Sequence, residues 1–205
     1  MPDPAMPGQG PARSAASGGA AGDGGAGDGG AGDGGAGDGG AGSGAAGDGG
    51  ATGRERFLAD AAARGLSVQL VERLAANSLE ETARILGIEP GDIVKSLVVK
   101  HKDGSFLFAL IPGDRQISWP KLRALLGVNK LSLPAADVAL AATGYERGTI
   151  TPLGSTVAWP VYADRTITGR RISMGAGEHG FSAFVDADAL TAALAAVVAD
   201  ISEPN

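Results

Sequence analysis

Apolar positions recur with a helical or a strand period from Arg54 onward and follow neither period before it. Phe57, Leu58, Ala61 and Ala62 share one face and Gly65 closes the run, so Arg54 to Arg64 reads as a helix. Leu66 to Arg73 alternates, with β-branched Val68 and Val71, and reads as a strand. Ser78-Leu79-Glu80-Glu81 has the form of a capping box, opening a helix that runs to Leu86 with Gly87 as terminator. A turn at Pro90-Gly91-Asp92 precedes a strand over 94–100, and Asp103-Gly104 predicts a hairpin into Phe106 to Ile111. Ser118 caps another helix, with Pro120 in its first turn and Gly127 at its end. A short strand at Leu131 to Leu133 and a helix at Ala135 to Ala142 follow, then strands at 156–163, 170–174 and 181–185, and a last helix from Asp186 to about Ala199. Strands and helices mix without regular βαβ alternation, which predicts an α+β fold with a mixed, strongly curved sheet.

Residues 1–53 are of another kind. They hold 22 of the 35 glycines and no aromatic residue. From Ala21 the unit Ala-Gly-Asp-Gly-Gly repeats with a period of five, setting Asp23, Asp28, Asp33 and Asp38 in register. A calcium-binding β-roll needs a nine-residue period and an apolar residue to pack each turn, and this repeat has neither. Ordering such a segment costs backbone entropy with no apolar surface to bury in return, so 1–53 is expected to be a disordered, Gly/Ala/Asp-rich tail and 54–205 a single domain. The tail carries six aspartates against Arg13, while the remainder is close to neutral, so the acidic net charge of −6 is mostly the tail's and does not argue against a nucleic-acid partner.

Without cysteine there is no disulfide, and His101 and His179 leave little for a metal cluster or a Ser-His-Asp relay; no metal and no cofactor is expected. No basic flank and apolar stretch marks a signal peptide, and no run approaches the ~20 apolar residues that cross a bilayer. A cytoplasmic protein without a membrane partner is the expectation.

Two segments do not look like ordinary core. In Val94-Lys95-Ser96-Leu97-Val98-Val99, alternation puts Lys95 on the same face as Leu97, aimed at the interior or a cleft, where an ammonium loses solvation and needs a partner. Its other reading is an edge lysine pointing to water. The second is Thr143-Gly144-Tyr145-Glu146-Arg147-Gly148-Thr149-Ile150-Thr151-Pro152-Leu153-Gly154, whose three glycines and proline can bring bare backbone against a ligand, or merely connect a helix to a strand.

Lys95 in VKSLVV, the stretch Pro112-Gly113-Asp114-Arg115, the GxxxP run Gly148-Thr149-Ile150-Thr151-Pro152, and Ala163-Asp164-Arg165 leading to Gly175-Ala176-Gly177 together resemble the YbaK/EbsC family of free-standing aminoacyl-tRNA deacylases. That family is related to the editing domain inserted in bacterial prolyl-tRNA synthetases. The resemblance runs from about Arg54 to about Ala196 and rests on the order and spacing of these motifs. It implies a barrel-like sheet flanked by helices and a trans-editing hydrolase that cleaves the ester of mischarged tRNA. The implied amino acid is a small one, such as alanine or cysteine on tRNA for proline. The implied partners are the aminoacyl-tRNA acceptor end and prolyl-tRNA synthetase. Lys95 is then expected to hold the terminal adenosine's phosphate or the ester region electrostatically. The main chain of Gly148, Thr149, Ile150, Thr151 and Pro152, with the Thr149 and Ile150 amides foremost, is expected to orient the ester and its water or to stabilise an oxyanion.

Tyr145 and Arg147 flank this loop and are expected to stack on or pair with the acceptor end, although an arginine there is equally a solvated charge. Gly175 to Gly180 spells GxGxxG, but a strand and not a helix follows, so a hairpin turn is expected, with Gly177 beside the pocket. His179 is expected to be exposed on that turn and Asp114-Arg115 to structure a loop. Arg165, Arg170 and Arg171 read as a solvated strand face or as phosphate contacts. A second class of function remains open, a non-catalytic aminoacyl- or nucleotide-binding module recruited through the flexible tail, because no general base is evident.

The tail generates a first prediction. Deleting residues 1–50 should leave melting temperature and turnover in vitro nearly unchanged, since the segment offers the core no apolar surface. A drop of several degrees in thermal unfolding would mean that it docks.

Overall fold

The first helix, α1, spans Gly53–Ala63 and is started by Thr52, whose hydroxyl accepts from the Glu55 amide while the Glu55 carboxylate accepts from the Thr52 amide. This is a capping box that the glycine-rich lead-in disguises. In this computed structural model Gly50–Asn205 are described, except Asn77, within one compact unit, and the expected tail lies outside the described residues up to residue 49.

Strand β1 (Val68–Glu72) follows, then α2 (Leu79–Leu86), in which Ser78 accepts from the Glu81 amide and Gly87 closes the helix in the left-handed region. A 3-10 turn at Pro90–Asp92 leads into β2 (Ile93–His101), which forms the expected hairpin with β3 (Phe106–Pro112). The other elements are β4 (Arg115–Ile117), α3 (Trp119–Leu126), β5 (Leu131–Ser132), α4 (Ala136–Thr143), β6 (Val161–Asp164), β7 (Arg171–Gly175), β8 (Phe181–Asp186), α5 (Ala187–Ala193), β9 (Val197–Ala199) and β10 (Ser202–Pro204). The main sheet is mixed, in the order β1-β8-β7-β2-β3-β6-β9, with β5 pairing to the far end of β2. The α+β class and the mixed sheet are as expected; among the described residues the strand path runs from β1 to β9 without a pairing between its ends. No helix of the described residues is long and apolar enough to cross a membrane.

Each face of the sheet carries its own core. One cluster gathers Val94, Val98, Phe108 and Leu110 with Ile172, Met174, Phe57 of α1 and Leu190 of α5. The other gathers Val99, Leu107, Ala109 and Ile111 with Leu122 of α3 and Ile201. Strand alternation sorts the two: 94 and 98 face the first, 99 the second.

Two expectations need correction, and one element was not expected. The strand expected over 156–163 is confined to Val161–Asp164, because Pro160 has no N–H for a ladder and its carbonyl instead takes the Phe108 amide. The last helix stops at Ala193. Ala195 turns into the left-handed region at φ 48, and Val197 and Val198, β-branched, pair with β6 as a parallel edge strand. Alanine-rich composition favours helix there, but tertiary pairing wins. The small β4–β10 sheet has no counterpart in the sequence reading, since three-residue strands carry no usable period.

Asp164 ties the C-terminus to this frame. It is fully buried and accepts from the amides of Thr166 at 3.0 Å and Ile201 at 3.1 Å, and from the Thr166 hydroxyl. Burial pushes its carboxyl pKa up, but hydrogen bonds from Thr166, Ser202 and Ile201 outweigh that and hold it below the ordinary 3.8. A depressed carboxylate stabilises the fold fully above its unfolded pKa and loses that contribution as pH falls through the folded one. Asp164→Asn should therefore cost about 1–3 kcal/mol at neutral pH. The gap between mutant and parent, read from thermal unfolding, should shrink below about pH 4. A gap that stays constant down to pH 2 would remove the charge from the argument.

Candidate active site

Strands β2 and β7 run parallel, and their pairing covers two residues, Ile93 beside Ser173 and Val94 beside Met174. Lys95 and Gly175 come next on each strand, and alternation turns both away from the face of Val94 and Met174. On that side a Cβ at Gly175 would stand 3.0 Å from the Thr149 carbonyl oxygen and 3.1 Å from that of Ile150. The GxxxP loop therefore presses its backbone onto the sheet at Gly175, one residue past the end of the β2–β7 pairing, as Lys95 is on β2. A side chain at 175 would push it off.

The Lys95 ammonium is half-buried. It donates to the Gly113 carbonyl, in the turn between β3 and β4, at 3.1 Å and to the carbonyl of Arg115, the first residue of β4. No carboxylate among the described residues lies within ion-pairing distance of it. Burial lowers its pKa from the ordinary value, and the negative charges of Asp114 and Glu80 partly oppose that. An ammonium has three N–H donors, so a third remains for a ligand. The reading as an edge lysine in open water is corrected: β2 is a central strand, and the cation is folded back onto carbonyls.

The loop follows α4, which Gly144 closes in the left-handed region. The Thr149 amide donates to the Glu146 carbonyl at 3.0 Å, and Gly148 sits between them at φ +95, the position that a type II turn reserves for glycine. The Thr149 amide is thus spent on the turn, correcting the expectation that it faces a ligand. No acceptor among the described residues takes the amides of Ile150 or Thr151. Thr151 and Pro152 are buried, and the Thr151 hydroxyl accepts from the Leu153 amide at 3.3 Å.

Tyr145 is also relocated. It is 1% exposed, and its hydroxyl donates to the Leu153 carbonyl at 2.8 Å and lies 3.4 Å from the Gly53 carbonyl. Burial pushes its pKa up to about 12, Arg56 opposing, so the phenol stays a donor. It props the loop from beneath and offers no face to a base. Gly177, at φ +80, donates its amide to the Thr149 carbonyl at 3.0 Å, and a Cβ there would fall 2.4 Å from the Gly53 carbonyl oxygen, so it too is packed under the loop. GxGxxG is the expected turn between β7 and β8. His179 on that turn lies 3.1 Å from Glu146, both exposed, and Arg147 is exposed. Arg165 meets Asp200 at 3.5 Å, Arg170 pairs with Asp92, and Arg171 donates to Gln69 and lies over Phe184, so each of this cluster already has a partner. Arg115 donates to Ser202 at 2.6 Å, the structuring role expected of Asp114-Arg115.

Two residues escaped the sequence reading. Arg56 donates to the Gly144 carbonyl at 2.7 Å and the Gly154 carbonyl at 3.2 Å, and Asp60 accepts the Gly154 amide at 2.9 Å. Their signal was the i, i+4 spacing of Arg56, Asp60 and Arg64 along one side of α1, which reads as a solvated face until the loop is in place. Neither of two surface depressions of about 360 and 370 Å³ includes Lys95.

Residues 75–193, more than half of the chain, match the aminoacyl-tRNA editing domain family, and the chain belongs to that family. A proline–tRNA ligase of Thermosipho africanus is 40% identical over 78 residues, which are 38% of this chain and 14% of the ligase. A candidate Cys-tRNA(Pro)/Cys-tRNA(Cys) deacylase, EbsC, of Enterococcus faecalis is 34% identical over 104 residues, 50% of this chain and 63% of that protein. A crystal structure described as a candidate trans-editing enzyme for prolyl tRNA synthetase superposes with a TM-score of 0.69 at 26% identity, covering 75% of this chain and 98% of the other.

The loop's packing is testable through Gly154, which sits at φ +68 with a prospective Cβ 2.5 Å from the Arg56 backbone carbonyl. Gly154→Ala should destabilise by on the order of 2–4 kcal/mol, from left-handed strain plus overpacking. Urea unfolding measures this, and a variant within experimental error of the parent would show that α1 and the loop can separate freely.

Proposed function

We propose that this protein is an aminoacyl-tRNA deacylase that clears mischarged tRNA in trans, acting on a small amino acid such as alanine or cysteine on tRNA for proline. The observation that carries the reading is the unpaired amide of half-buried Ile150, in a loop whose backbone packs on Gly175, together with the half-buried ammonium of Lys95. Family membership supports it, as do the deacylase and trans-editing descriptions of its relatives.

In this reaction water adds to the ester carbonyl carbon, the carbonyl oxygen gathers negative charge, and the ester C–O bond breaks. The products are free amino acid and the terminal ribose hydroxyl of the tRNA. Donors already aimed at the developing oxyanion stabilise it without reorganising. The Ile150 amide supplies such a donor, and the remaining Lys95 N–H holds the terminal nucleotide's phosphate or the ester. His179, which lies beside Gly148 and meets Glu146 at 3.1 Å, is assigned no part in activating water in this scheme. The proton is taken by groups of the substrate or by solvent, and the rate rests on positioning. A site walled by backbone discriminates by size, and one methylene is worth only ~1–3 kcal/mol, which suits small amino acids and permits overlap between them. Charged tRNA places the reaction in the cytoplasm, with prolyl-tRNA synthetase as the partner that generates the substrate. Gly148 and Arg147, exposed at the loop's tip, complete the surface met by the acceptor end, and buried Pro152 holds the loop behind them.

Incubation with a panel of charged tRNAs, correctly charged Pro-tRNA(Pro) included, tests the reading. Lys95→Ala should reduce deacylation by about 10²–10³-fold while thermal unfolding remains cooperative. Binding of charged tRNA without turnover above the Lys95→Ala background would instead make the chain a binding module.

A further inference from the structure

Helix α1, Gly53–Ala63, lies outside the span that matches the editing family, which begins at residue 75. It nevertheless supplies the side chains that hold both ends of the 144–154 loop. Arg56 Nη2 donates to the Gly144 carbonyl, its Nε donates to the Gly154 carbonyl, and its guanidinium carbon lies 4.8 Å from the centre of the Tyr145 ring. Nη1 donates to the Ala51 carbonyl at 3.3 Å, so the lead-in to α1 is held by the same group. Asp60 receives the Gly154 amide on one oxygen and Arg64 on the other, at 2.9 Å each.

The geometry points to Arg56 as a positioning residue: its guanidinium sets the spacing of the loop ends, and so the aim of the free Ile150 amide at the ester. This rests on the deacylase reading above. Gly144 and Gly154 bracket Gly148–Pro152, and one planar cation bonds to both. A guanidinium presents its donors in a rigid fork, so two carbonyls bound to it cannot drift apart independently. Lysine offers a point charge on a flexible stem and cannot impose that spacing. An amide stabilises an oxyanion only over a few tenths of an ångström around ~2.9 Å, so a loosened loop loses rate before it loses affinity.

Single-turnover deacylation by the full chain, with Arg56→Lys and Arg56→Ala, tests this. The expected result is a rate about 100-fold lower in both. The half-saturating concentration should stay within about threefold and the melting transition should remain cooperative well above assay temperature. Ethylguanidinium should restore part of the rate to Arg56→Ala and none to Arg56→Lys, which no general loss of folding would produce. Amide hydrogen exchange at Thr149 and Gly177, whose bonds cross the loop, should accelerate in Arg56→Ala while Phe108 in β3 is unchanged. Full activity in Arg56→Lys, or loop exchange as slow as in the parent, overturns the proposal while leaving the deacylase reading intact. A parent chain that hydrolyses no charged tRNA overturns the deacylase reading itself, and this role for Arg56 with it.

Discussion

A missing side chain lets the loop and the lysine share one place. At Gly175 the carbonyls of Thr149 and Ile150 come as close to the sheet as a hydrogen atom in place of Cβ permits, one residue past the end of the β2–β7 pairing, as Lys95 is on β2. The two-residue pairing of β2 with β7 makes this possible. Longer pairing would seal the sheet at that point, and no pairing would leave Lys95 and the loop without a common reference. From there the other contacts follow in order. Gly177 hooks the loop to the β7–β8 turn, Tyr145 fills the space beneath it, and α1 holds its two ends.

The polar groups around the loop divide cleanly between structure and chemistry. The Thr149 amide, the Thr151 hydroxyl, the Tyr145 hydroxyl and the Gly154 amide are all consumed internally. The Ile150 and Thr151 amides are not. An unpaired N–H costs free energy when buried, a cost that the buried Thr151 amide bears in full and the half-buried Ile150 amide only in part. Lys95 follows the same logic. The Gly113 and Arg115 carbonyls hold the ammonium in place, and β10 pairs with β4, so the chain's last strand helps fix the segment that grips the lysine.

Much of this was legible in the residues. The lysine strand, the hairpin at Asp103-Gly104, the GxxxP run and the turn nature of GxGxxG are local signals: each depends on a period of two, a glycine φ or a proline's missing N–H, and these act within a few residues. What sequence could not reach were the partners. Tyr145 was expected at the acceptor end because aromatics beside glycines often stack on ligands, yet its burial under the loop follows from Gly53 and Leu153, 92 and 8 residues away. The Thr149 amide was expected to be free because nothing local announces that Gly148 would set a type II turn. Arg56 and Asp60 carry no local signal of their role, since i, i+4 ions on a short helix ordinarily face solvent.

By itself, then, the amino-acid sequence determined the α+β class, the limits of most helices through their caps, and the two segments proposed to carry the chemistry, because period, capping and turn preference are properties of neighbouring residues. The tertiary structure alone decided the end of α5 and the edge strand of Val197 and Val198. It also decided which face of the sheet Lys95 shares with the loop and which loop amides stay free. Those outcomes depend on pairings between residues far apart in the chain, where the free energy of a strand register or a close backbone contact outweighs what any local stretch prefers.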